Sequence, residues 1–211
     1  MNGFRLTRTN LSRDLEPRDR DRRQDSRPGV YANEYAEIPG ALSRNRPLLN
    51  RMLKLVECET IRHVAVADAG RLSAFRAILR RLANGGIDES GATSAVTAAF
   101  SAPGLRAEDR GQGFGAGWER RLVRFQFSRF YNQAVLEHLL DQRSAICLVP
   151  RSSEERPAEP CTALLAGRRQ HVSVLHEGLV EAFRHGRLSR EPTVPNHPEC
   201  THVARAVPGR G

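Results

Sequence analysis

His197, Cys200 and His202 stand within six residues of one another, and five of the chain's seven histidines fall after residue 170. Imidazole nitrogen and thiolate sulfur are the donors that tetrahedral zinc prefers, and Cys161, His176 or His185 would supply a fourth. The spacing permits such a site without demanding it. No C-x-x-C knuckle is present, and Pro198 interrupts the run. Residues 187–211, with Pro192, Pro195 and Pro198, therefore read as a flexible tail with incidental histidines. No cofactor is required, and zinc is the one ion the set would suit.

A second constellation is the run G-Q-G-F-G-A-G at 111–117, which leads into Trp118-Glu119-Arg120-Arg121-Leu122-Val123-Arg124. Gly113, Gly115 and Gly117 free the backbone to turn N–H groups inward, and the start of a helix adds partial positive charge. Arg120, Arg121 and Arg124 follow on adjacent ridges, with Arg129 further on, so this stretch is the candidate for binding an anion or nucleic acid. Cations in the first turns oppose the helix dipole, and Glu119 compensates only one of them. No strand precedes the loop and no Lys-Ser/Thr ends it, which excludes a dinucleotide fingerprint or a phosphate loop.

Phe125, Phe127, Phe130 and Tyr131 interleave with Arg124 and Arg129, a pattern that would suit base stacking. An aromatic-poor chain needs those rings for its core, and core packing is the stronger expectation. Weaker chemistry lies elsewhere. Cys58 and His63, five residues apart, would stand about 140° apart on one helix, so they share no face; a buried thiol and a surface imidazole are expected instead. Residues 72–100 have the outline of a helix-turn-helix, yet the second helix starts with Asp88 and Glu89 and lacks Arg, Lys, Asn and Gln. The chain has no G-x-S-x-G, no H-E-x-x-H and no convincing carboxylate pair.

The elements that must position these residues are helical. Asn45 as a cap, Pro47 in the first turn and Leu48, Leu49, Met52, Leu53, Leu55 and Val56 at helical spacing predict a helix that could run to Ala69, with Gly70 as its stop. A second covers 71–84 and ends at Gly85-Gly86; Asp88 caps a third through Phe100. A long central helix is predicted from Trp118 to about Gln142, apolar on more than one face. A short strand at 145–149, a polar linker and a last helix at 173–185 follow, with the alternative of strands at 163–166 and 171–175. The expected fold is mainly α: a compact bundle of about four to five helices at 41–150, a linker and accessory helix at 151–186, and disordered arms at 1–40 and 187–211. Tyr31, Tyr35 and Ile38 would dock as a strap.

Thirty-two of the 33 basic residues are arginine, Lys54 being the exception, and the net charge is +9. A GC-rich coding sequence explains the arginine bias by itself, and no segment exceeds +3. The charge favours an anionic partner. With no apolar run of membrane-spanning length, the expectation is an intracellular protein, cytoplasmic or nuclear, with free thiols and no membrane contact. The functional expectation is a non-enzymatic, arginine-rich binding or assembly protein that contacts nucleic acid non-specifically or an acidic protein; a homo-oligomer would fit an assembly role. The alternatives are an enzyme or sensor holding a phosphorylated small molecule at 111–117, and a protein-only adaptor.

Overall fold

Asn45 separates two helices, α1 (Ile38–Arg44) and α2 (Arg46–Cys58). Its Oδ1 accepts from the Leu48 N–H at 3.2 Å, which satisfies one of the orphan donors of α2, and Pro47 occupies the first turn, as the spacing predicts. The computed structural model describes residues 30–100, 115–156, 158–186 and 193–208. Within them the chain is mainly helical.

α2 ends at Cys58, well before the expected end at Ala69. Glu59 and His63 are extended, and a single 3-10 turn, Val64–Val66, intervenes. Asp68 then accepts from the Arg71 N–H at 2.8 Å and starts α3 (Ala69–Ala83), so Gly70 lies in a first turn and terminates nothing. The break frees the Thr60 carbonyl, which accepts from Arg129 at 2.7 Å. Gly85, with φ +72°, closes α3. Asp88 caps α4 (Glu89–Phe100) through the Gly91 N–H at 2.7 Å. α3 and α4 form a helical hairpin.

α5 (Trp118–Asp141) is the axis. Val123, Phe127, Phe130, Tyr131, Ala134, Val135 and Leu139 are buried around its circumference, and α2, α4 and a later helix, Val172–Val180, pack on it. The rings Phe127, Phe130 and Tyr131 are therefore core and offer no stacking platform. β1 (Ile146–Val149), α6 (Pro160–Leu164), β2 (Arg168–His171), α7 (Val172–Val180) and β3 (Arg205–Ala206) follow. α7 runs on into a π-helical turn, Glu181–His185, which Gly186 ends. The strands make an antiparallel sheet in the order β2-β1-β3, with Cys147 opposite Gln170 on one side and Ala206 on the other.

Two stretches expected outside the core belong to it. Ala32, Tyr35 and Ile38 are buried; the Ala32 N–H donates to the Tyr131 hydroxyl at 2.7 Å and the Tyr35 N–H to the Thr201 carbonyl at 2.9 Å. This is the expected strap, extended into a 3-10 turn at Tyr35–Glu37 and α1. The tail is the larger difference. Val194, Cys200, Val203 and Ala204 are buried, and the Ala204 N–H donates to Asn132 Oδ1 at 2.7 Å. Partners far away in sequence fix this segment, where no apolar period could announce it. Residues 1–29, 187–192 and 209–211 lie outside the described residues. Among those described, no helix is long and apolar enough to cross a membrane.

Candidate functional site

The arginines of α5 are spent on the fold. Gly117, with φ +76°, precedes the helix, and Arg121 folds back to donate to the carbonyls of Ala116 at 2.7 Å and Gly115 at 2.9 Å. Those carbonyls are acceptors, so this end of the glycine loop presents oxygen to the guanidinium. Residues 101–114, including Gly113, lie outside the described residues. Arg120 donates to Glu89 at 2.7 Å. Arg124 is buried, reaches Glu154 at 3.2 Å and lies over the Tyr35 ring at 4.4 Å.

Arg120 and Arg124 line a cleft of about 500 Å³ with Tyr35, Leu82, Ile87 and Phe127. Asp88, Glu89 and Glu154 line it too, so an incoming anion would meet three carboxylates beside two guanidinium groups. Burial and the neighbouring Glu89 push the Tyr35 phenol well above its usual range.

Arg129 is 1% exposed. Its guanidinium is sandwiched between the Phe130 and Phe183 rings at 4.7 and 4.6 Å, bonds the Thr60 carbonyl and pairs with Glu59 at 3.8 Å. Burial lowers its pKa to about 10, opposed by Glu59, so it stays charged at neutral pH. The four arginines singled out from the sequence thus do not converge on one surface: Arg120 and Arg124 share the cleft, Arg121 folds back on the glycine loop and Arg129 is buried. Cys58 departs from its expected burial, and His63 is half-buried rather than on the surface. Cys58 is exposed, while His63 accepts from the Ala65 N–H and stacks on Trp118 at 6.2 Å.

Further exposed arginine stands on and beside β2. β2 is an edge strand, and Arg168 and Arg169 on it are solvent-facing. Arg151, also exposed, lies against the adjacent turn, where a Cβ on Gly167 would come 3.5 Å from its Cγ. In all, the described residues carry 20 basic and 16 acidic side chains, or +4 of the chain's +9.

The most concentrated chemistry is at the other end of the sheet's connections. Pro160 starts α6 and puts Cys161 in its first turn. A turn closed by the Cys200 N–H on the His197 carbonyl at 3.0 Å brings those two side chains onto it. One donor atom from each of Cys161, His197 and Cys200 lies within 4.8 Å of the others. Cys161 Sγ is 3.2 Å from His197 Nε2, and Cys200 Sγ is 3.7 Å from His202 Nδ1. Of the three fourth donors considered, Cys161 is present; His176 sits against Glu137 at 3.7 Å and His185 is exposed in the π-helical turn.

Two acids with no signature of their own flank the cluster. Glu155 is 3.3 Å from His202 Nε2, and Glu159 is 3.0 Å from His197 Nε2. The facing Cys200 thiol and burial push Cys161 up to about 12, while Cys161 holds Cys200 below the usual thiol range. Burial pulls the His202 pKa down, but Cys161 and Glu155 outweigh it and leave it raised. Comparison with protein-family models, curated proteins and solved structures finds no match to this chain.

Proposed function

We propose that this protein is a non-enzymatic, mainly helical binding or assembly protein with an anionic partner, nucleic acid before an acidic protein. The supporting observation is a contrast among arginines: Arg120, Arg124 and Arg129 of α5 each pair with a carboxylate, whereas Arg168 and Arg169 stand exposed on the edge strand of the described sheet, beside Arg151. Planar guanidinium forks on such an edge hold phosphate oxygens without reading bases. Binding is then diffuse and salt-sensitive. The purified protein is expected to carry nucleic acid, seen in its absorbance ratio, and to lose it in a high-salt wash. Arg168→Gln/Arg169→Gln should flatten the dependence of log K on log salt by up to about 1.8 units on duplex DNA, about 0.9 for each phosphate contact. A protein free of nucleic acid, with the same salt slope in the double variant, would refute the reading.

A further inference from the structure

We propose that Cys161 Sγ, His197 Nε2, Cys200 Sγ and His202 Nδ1 form a closed, four-coordinate zinc site, and that Glu155 is the residue that orients His202. With Zn–S near 2.3 Å and Zn–N near 2.0–2.1 Å, a tetrahedron has sulfur-to-nitrogen edges of about 3.6 Å. The separations Cys161–His197, 3.2 Å, and Cys200–His202, 3.7 Å, lie on either side of that value. Three of the donor atoms already lie within 4.8 Å of one another.

His202 completes the set. It is wholly buried, faces Cys200 with Nδ1 and directs Nε2 at the Glu155 carboxylate. A metal-bound histidine commonly gives its second nitrogen to a carboxylate in this way, which fixes both tautomer and ring orientation. Glu155 is itself held, by Arg151 at 2.6 Å and by the Ser152 N–H at 3.3 Å. Two thiolates make a soft donor set that suits zinc and rejects magnesium and calcium. Their two negative charges cancel the two positive charges of the ion, so the metal with its four ligands is neutral. Glu159 is the rival fourth ligand, since its Oε2 lies 3.0 Å from His197 Nε2 and 3.9 Å from Cys161 Sγ. It stands at the more exposed rim, and a carboxylate there would leave buried His202 without a task.

The 211-residue chain tests this, with metal analysis, cobalt(II) substitution and chelator competition for zinc. The expected result is one equivalent of zinc and, with cobalt, the visible bands and sulfur-to-metal charge transfer of a tetrahedral S2N2 site. Glu155→Ala should weaken zinc binding by about 10–100-fold, with Glu155→Gln recovering part of the loss. Glu159→Gln should leave affinity and cobalt spectrum unchanged. His202→Cys keeps a donor in place if His202→Ala does not fold, and should intensify the charge-transfer band as a third thiolate joins. No stoichiometric metal after reconstitution, a His202→Cys spectrum identical to wild type, or loss of the tetrahedral spectrum in Glu159→Gln would each overturn the assignment.

Discussion

α5 and the segment 193–206 are both buried, yet they are ordered by opposite means. α5 satisfies its own backbone and is held by rings and aliphatic groups on every side, so each residue added to it brings its own hydrogen bond. The segment has only a two-residue strand. Its order comes from single attachments to remote groups: Thr201 to Tyr35, His202 to Glu155, Ala204 to Asn132. A structure built by repetition tolerates the loss of one contact at its surface; one built by attachment depends on each.

The comparison can be broken most forcefully inside α5. Arg129→Ala leaves Glu59 facing Arg184 alone and empties the space between Phe130 and Phe183, so a loss of about 3–5 kcal/mol is expected. Arg168→Ala, on the exposed edge, should stay within about 0.5 kcal/mol of wild type. Urea midpoints measured side by side decide this, and equal shifts would mean that Arg129 is not a structural cation.

Asn132 joins the two regions, and its effect should be intermediate. It is fully buried, donates to the Ser128 carbonyl at 2.8 Å and accepts from Ala204 at 2.7 Å. Asn132→Ala orphans a buried N–H and should cost about 1–3 kcal/mol. Hydrogen exchange should show protection lost in 193–206 before α5. Uniform loss would dissolve the distinction drawn between them.

The smallest effect is with acid. Glu34 accepts from the Ser153 hydroxyl and N–H, both at 2.7 Å, and from the Ser152 hydroxyl at 2.9 Å. These bonds, the Ser153 hydroxyl foremost, hold its pKa below the usual carboxylate range. A lowered folded pKa gives stability that is present above the unfolded value of about 4.3 and is lost as pH falls through the folded value. Glu34→Gln should therefore be less stable than wild type near neutrality and approach it in acid. Melting curves of the two proteins that stay parallel down to pH 3 would exclude the linkage.

What could be read from residues alone follows the same division. The caps Asn45 and Asp88, the stop at Gly85 and the extent of α5 were legible because cap, stop and apolar period act within a few positions. The early end of α2 was not, since the Thr60 carbonyl is drawn out of the helical path toward Arg129, 69 residues away. Nor was the inward turn of Arg124 and Arg129, as charge by itself predicts exposure and only the partner explains burial. His197, Cys200 and His202 were visible as donors. Their convergence with Cys161 was not, because it depends on a chain reversal between α6 and the segment, and Glu155 carries no signature until His202 is beside it.

The hydrogen bond from Tyr35 to Thr201 also constrains the order of events when the chain is made. Residues 30–42 emerge early with Ala32, Tyr35 and Ile38 apolar and a backbone N–H unanswered, and their seat includes atoms that do not yet exist. At about 5–20 residues per second, the Thr201 carbonyl arrives some 8–33 s later. Throughout that interval the Tyr35 N–H lacks its native acceptor, although Tyr131 and Phe127 can receive the strap before it ends. Emergence of the segment 193–206 supplies the missing acceptor, so folding of that segment and completed seating of the strap are one event.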